Sequence, residues 1–351
     1  MPRLCPKKAY TDQGQVTPHT LVKTIQINMI LFSAAILIGL IFLILSADRF
    51  VDAASVLAQK TGLSPLIIGM LIVGIGTSAP EILVSALAAM QDNTGLALGN
   101  AYGSNITNIA FILGLTALIS PIPVQSGILR KELPILCLVT GASIVLLWDR
   151  HLGFWDAVLF MVALLALLVW LVKTGQESPD NFTVEAEANA QAHLPKMSHT
   201  GLVLVLSLAV MMAASQGLIW GAEGLAKALG VSDLVIGLTV LAFGTSVPEL
   251  ASSLIAARKN QHALALGNVI GSNLFNTLGV VGVAGLISPS TVPADLLTRD
   301  LPLVALLSLS LFVIGMGWRG RTGRVNRWEG GLLLAVYVGY MATLAASASA
   351  V

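Results

Sequence analysis

Apolar runs long enough to cross a bilayer recur along the whole chain, separated by short polar or charged breaks. A membrane-crossing helix needs about 20 predominantly apolar residues. The pattern supplies ten such segments, near 28–47, 63–90, 94–119, 133–149, 153–173, 199–220, 231–257, 262–287, 301–318 and 329–348. Trp148, Trp155, Trp170, Trp220, Trp318 and Trp328 all fall near predicted span ends. An indole there keeps its ring in the interface and its N–H hydrated.

One internal stretch breaks the pattern. Residues 174–198 carry Glu177, Asp180, Glu185, Glu187 and two prolines, cannot bury a core, and predict a solvated linker between five spans and five spans. Residues 1–27 carry Arg3, Lys7, Lys8 and Lys23 without an early apolar core, and predict a tail rather than a cleaved signal peptide. The organisation expected is therefore a tail at 1–27, a first five-helix unit at 28–173, the linker at 174–198 and a second unit at 199–351.

Composition agrees with the pattern. Hydrophobic residues make up 56% of the 351 positions and charged residues 11%, against about a quarter charged in soluble domains. A net charge of +1 gives no footprint for nucleic acid. Cys5 and Cys137, one in the tail and one in an apolar run, offer neither a disulfide framework nor a thiolate metal site.

The two halves are copies. Gly76-Thr77-Ser78-Ala79-Pro80-Glu81 returns as Gly244-Thr245-Ser246-Val247-Pro248-Glu249, 168 positions on. At the same offset Leu96-Ala97-Leu98-Gly99-Asn100, Gly103-Ser104-Asn105 and Asn108 return as Leu264-Ala265-Leu266-Gly267-Asn268, Gly271-Ser272-Asn273 and Asn276. An odd number of spans per unit makes the second copy enter the membrane from the opposite side. The fold class expected is thus an all-α polytopic membrane protein with ten transmembrane helices as two inverted five-helix repeats. That is a transporter architecture.

Positive residues set its orientation. With both termini outside, inner loops hold Arg49, Lys60, Lys173, Arg258 and eight other basic residues, while outer loops hold Arg150, Lys227 and Arg299.

Glu81 and Glu249 lie deep in apolar segments, where a carboxylate without a partner costs several kcal/mol. No Lys or Arg lies at comparable depth, so a bound cation is the natural counter-charge. Pro80 and Pro248 precede these glutamates, and a proline removes the bond to the carbonyl four residues back. Carbonyls around Gly76-Thr77 and Gly244-Thr245 are therefore expected to be freed. Thr77 shares a helix face with Glu81, as does Thr245 with Glu249. Ser104 and Asn108 repeat that spacing, as do Ser272 and Asn276. All these donors are oxygens, which suits calcium and its roughly 6–8 oxygen ligands better than zinc or copper. Gly99 with Gly103, and Gly267 with Gly271, make GxxxG spacings expected to serve close helix packing.

Two glutamates balance one divalent or two monovalent cations, the requirement for exchange at one site. No nucleotide motif is present, so an ion gradient is the expected energy source. No nucleophile or metal-binding His lies near either glutamate, which argues against an intramembrane hydrolase and for a protein that is not an enzyme.

The doubled Gly-Thr-Ser-x-Pro-Glu, each copy followed by Gly-Asn and Gly-Ser-Asn, resembles the alpha repeats of the calcium/cation antiporter superfamily, specifically its sodium/calcium exchangers. The resemblance runs from about residue 28 across nearly the whole chain. It implies a ten-helix antiporter of Ca2+ and Na+ without a cofactor, with ion ligands at Thr77, Glu81, Ser104, Asn108, Thr245, Ser246, Glu249, Ser272 and Asn276. Many relatives carry Asp where Asn276 stands, so potassium dependence is not expected. The short linker lacks the regulatory insertion of animal exchangers, pointing to a prokaryotic inner-membrane protein. Proton-coupled exchange of calcium or another cation is the alternative on the same fold.

Overall fold

A computed structural model describes residues 18–124, 131–177, 197–229, 242–315 and 323–349. Among the described residues the chain is helical almost throughout, and seven helices are long and apolar enough to cross a membrane, or eight if one bent pair is counted as a single span. The first half runs α1 (Pro18–Thr61), the bent pair α2 (Pro65–Thr77) and α3 (Ala79–Met90), α4 (Thr94–Ile119), α5 (Glu132–Leu146) and α6 (Phe154–Glu177). In the second half come α7 (Met197–Ala228), a three-residue turn at Ala242–Gly244, α8 (Val247–Arg258), α9 (His262–Ile287), α10 (Leu296–Gly315) and α11 (Arg327–Ser349).

Several boundaries differ from the sequence pattern. α1 starts at Pro18, inside the expected tail, and continues 14 residues past the expected end at 47. No proline interrupts 19–61. Beyond the apolar run, Phe50, Val51 and Ala54 are buried in a cluster that includes Met211 of α7 and Ala251 of α8, so packing rather than bilayer thickness sets the length. Gly62, at φ +69°, then turns the chain, a conformation that costs glycine little. Ser64 accepts from Ile67 N and, with Pro65 next, starts α2. α7 likewise outruns the expected 199–220, and α10 begins at Leu296, so Arg299 is helical rather than in a loop. α5 has 15 residues, fewer than a full crossing needs. The expected seventh span at 231–257 is represented by α8, and its portion at 231–241 lies outside the described residues, as do 178–196 of the linker and Trp318. Trp148, Trp155 and Trp328 are exposed at helix ends, whereas Trp220 is half-exposed within α7, which runs on to Ala228, and Trp170 packs against the core.

The duplication is legible in the backbone. Asp92 and Asn260, 168 positions apart, both take left-handed conformations at φ 56° and 60°, which Asp and Asn tolerate better than most residues. Ser78 (φ −82°, ψ 3°) and Ser246 (φ −88°, ψ 7°) break the chain identically ahead of each Pro-Glu. Wider π-helical turns fall at Thr107–Leu113 in α4 and Asn276–Val280 in α9.

Among the described residues, four two-residue strands qualify the all-α expectation: β1 (Ile122–Pro123), β2 (His151–Leu152), β3 (Ser290–Thr291) and β4 (Arg324–Val325). β1 pairs antiparallel with β4, and β2 with β3. Each pair joins a loop of one half to a loop of the other. The helices cross over in the same way, α11 packing on the second part of α4 and α6 on that of α9. Such reciprocity is what a two-fold axis between the halves produces.

α4 and α9 are buried along most of their length, whereas α1 and α11 present large apolar side chains such as Ile30, Leu37, Leu332 and Val338 outward. α2 and α9 meet backbone to backbone. A Cβ on Gly69 would come within 2.5 Å of Leu264 O, one on Gly271 within 2.6 Å of Met70 O, and one on Gly267 would collide with Leu66 O. The packing role expected for Gly267 and Gly271 is thus present. Gly99 and Gly103 have no such neighbour among the described residues.

Candidate functional site

The bend of 43° between α2 and α3 places the Thr77-Ser78 corner and the first turn of α3 together inside the bundle. Pro80 and Pro248 each sit in the first turn of a new helix, where a missing N–H leaves no ladder bond broken. Glu81 and Glu249 follow in the same turn, near the positive end of the helix dipole. Both are buried, at 1% and 2% exposure. Two carboxylates this deep need compensation from hydrogen-bond donors or a cation.

Each glutamate is addressed by the other half. Ser246 Oγ donates to Glu81 Oε1 at 3.3 Å, and Ser78 Oγ donates to Glu249 Oε1 at 3.3 Å. Ser104 Oγ lies 3.5 Å from Glu81 Oε1 and 3.4 Å from Ser246 Oγ, so one cluster draws on α3, α4 and the corner ahead of α8. Thr245 stands beside the Glu81 carboxylate and Thr77 beside that of Glu249. The remaining carboxylate oxygens, Glu81 Oε2 and Glu249 Oε2, have no hydrogen-bond partner among the described residues. The same holds for both amide atoms of Asn108 and of Asn276, which are 1% exposed at the π-helical turns. Buried polar groups are normally satisfied, and these orphaned oxygens are the ones a hard cation would use. No group of three or more His, Cys, Asp or Glu occurs among the described residues. The formal charge of the region therefore rests on two carboxylates.

All nine residues singled out from the sequence are buried. Thr77, Glu81, Ser104, Thr245, Ser246 and Glu249 are brought into the two carboxylate clusters. Ser272 is turned away, with its hydroxyl toward Gly74 O at 3.5 Å. Asn108 and Asn276 make no hydrogen bond to either glutamate. The freed carbonyl expected at Gly244 is taken, because Ser215 Oγ in α7 donates to it at 3.0 Å. A long neighbouring helix can supply that donor wherever a small hydroxyl faces the break, which local sequence does not reveal.

Sequence reasoning missed three participants. Ser78 is the repeat mate of Ser246, and the offset of 168 would have found it. Asn100 Nδ2 donates to Glu81 O at 3.2 Å and to Ser85 Oγ at 2.9 Å. Asn268 Nδ2 donates to Glu249 O at 3.2 Å and to Ser252 and Ser253 at 3.0 and 2.8 Å. These two asparagines had served only as markers of the repeat.

The family described as sodium/calcium exchanger protein matches residues 31–173 and 199–346. The putative antiporter CaxA of Alkalimonas amylolytica is 43% identical over 320 residues, covering 91% of this chain and 100% of the relative. The sodium/calcium exchanger MaX1 of Methanosarcina acetivorans is 31% identical over 344 residues, covering 88% of this chain and 97% of its own length. A solved structure of the sodium-calcium exchanger NCX_Mj superposes with a TM-score of 0.78 at 33% identity, covering 90% of this chain and 99% of that one.

Proposed function

The chain belongs to the sodium/calcium exchanger protein family, and from that premise we propose that it exchanges Ca2+ for Na+ by alternating access at one site between Glu81 and Glu249. The observation that carries the reading is the pair of buried carboxylates, each with one oxygen on a serine of the opposite half and the other oxygen without a hydrogen bond among the described residues. Two negative charges neutralise one calcium or two sodium ions, so the ions compete for the same oxygens. Ser104, Ser246, Thr245 and Asn108 would complete the shell around Glu81, and Thr77, Ser272 and Asn276 that around Glu249. The neutral hydroxyls and amides suit hard cations of variable coordination.

The architecture that moves the ions is, on this reading, ten transmembrane helices arranged as two inverted five-helix repeats in a prokaryotic inner membrane, with both termini outside. Support comes from the 168-residue offset, the reciprocal strand pairs and the excess of basic residues in loops assigned inside. Loop contacts respect that assignment: Lys259 meets α1 at Asp48 and Asp52 at the inner end, and Thr94 meets Ser288 at the outer end.

Coupling is tested in liposomes holding the purified full chain. A sodium gradient should drive uptake of calcium-45 that a proton uncoupler leaves unchanged. Calcium flux indifferent to sodium but collapsed by the uncoupler assigns proton coupling instead, and saturable binding without flux refutes transport.

A further inference from the structure

Asn100 and Asn268 occupy matched positions in the repeat, and both hold the main-chain carbonyl of their own half's glutamate at 3.2 Å. Their other contacts differ. Thr77 Oγ1 of the opposite half stands 3.2 Å from Asn268 Oδ1 and 3.0 Å from Val73 O of its own helix, so its single proton is shared between a bond across the halves and one within α2. The matched bond, from Thr245 Oγ1 to Asn100, is not made: Thr245 Oγ1 has no hydrogen-bond partner among the described residues. The asymmetry extends to the serines. Ser272 leans on Gly74 O while its mate Ser104 leans on Glu81. On the Glu249 side the threonine and the serine are thus drawn away, Thr77 to Asn268 and Ser272 to Gly74, while on the Glu81 side Thr245 and Ser104 face the carboxylate.

Two copies that alternate access around a fixed site reach their second state by exchanging conformations, so a contact made on one side in one state is made by its repeat mate in the other. We propose that Thr77–Asn268 and Thr245–Asn100 form a toggle, one bond closed in each access state, and that the asparagines are positioning residues linking each glutamate's backbone to the threonine of the opposite half. The toggle rests on the exchanger reading above and adds to it a device that couples the site to the direction it faces. Closing one bond releases a threonine hydroxyl on the other side to meet the ion.

The test measures half-saturating calcium concentrations at the inner and the outer face of uniformly oriented vesicles holding the full chain, and takes their ratio. Uniform loss of site affinity cancels in that ratio, whereas a shift between the two states does not. Asn268→Ala and Asn100→Ala should move the ratio in opposite directions by about fivefold each, the size set by one net hydrogen bond. The double variant should return it to the wild-type value. Thr77→Val, nearly isosteric and little threat to folding, should move the ratio as Asn268→Ala does, and Thr77→Ser should leave it in place. Weakened affinity at both faces with an unchanged ratio reduces the asparagines to structural clamps and overturns the toggle alone. Wild-type protein that carries no calcium under any gradient overturns the exchanger reading and the toggle together.

Discussion

Gly271→Ala puts the α2–α9 seam under direct strain. The new methyl would stand 2.6 Å from both Met70 Cα and Met70 O, where an ordinary contact needs at least 3.4 Å. The deficit of about 0.8 Å falls between two backbones, so no side chain can swing aside and the helices themselves must part. Overpacking of this kind costs about 1–3 kcal/mol. Replacing a helical glycine by alanine also brings a gain of about 0.5–1 kcal/mol from the unfolded chain. Gly339→Ala in α11, where nothing lies within 4 Å of the added methyl, isolates that gain. The difference between the two variants is therefore the clash alone. Thermal midpoints in detergent should fall for Gly271→Ala and hold or rise for Gly339→Ala, and only the first should slow calcium flux. Equal midpoints and equal flux would show that the seam is not tight and would refute the reasoning.

Three further outcomes follow from the site and its supports. Glu81→Gln or Glu249→Gln leaves a bound calcium with one uncompensated charge, a loss of about 3–5 kcal/mol in buried surroundings, so calcium-45 uptake should drop at least about 100-fold while helix content by circular dichroism stays the same. Near-normal uptake in either variant sinks the shared site. Ser78→Ala and Ser246→Ala each remove one neutral hydrogen bond to the opposite half's glutamate, and should raise the half-saturating calcium concentration by similar factors of about fivefold; a large effect of one and none of the other contradicts the reciprocal arrangement. Partial burial works against the Lys259 ammonium, but hydrogen bonds to Asp48 and Asp52 outweigh it and hold its pKa above the ordinary lysine value. Its stabilising contribution is fully present below the ordinary lysine pKa and is lost as pH rises through the raised one. At neutral pH Lys259→Ala should therefore cost under about 1 kcal/mol, since the carboxylates are exposed. High salt should shrink the difference in thermal midpoint, and a large salt-independent loss would reverse the assignment.

Much of this was legible in the chain. The offset of 168 located both Pro-Glu breaks, and hydropathy set the limits of α4 and α9 to within a residue. What stayed hidden was whatever depends on which helices meet. α1 outruns its apolar segment because Phe50 is buried against partners, Met211 of α7 among them, that no local pattern names. Asn268 reads as filler in Leu-Ala-Leu-Gly-Asn until Thr77, 191 positions away, arrives beside it. The carbonyl of Gly244 looked free because its donor, Ser215, has no equivalent in the first half, where Ala47 stands at the matched position. Departures from exact repetition are where a duplicated sequence says least about its contacts.

The exchanged strands bear on ancestry. β1 needs β4 and β2 needs β3, as each glutamate needs a serine from across the pseudo-two-fold axis. A lone half would therefore carry an incomplete site and two unpaired loop edges. On the inverted-repeat reading proposed above, such a unit before doubling would have completed itself by pairing with a second copy inserted the opposite way up. The asparagines, threonines and serine corners that meet across the two halves have stayed the same residue in both copies.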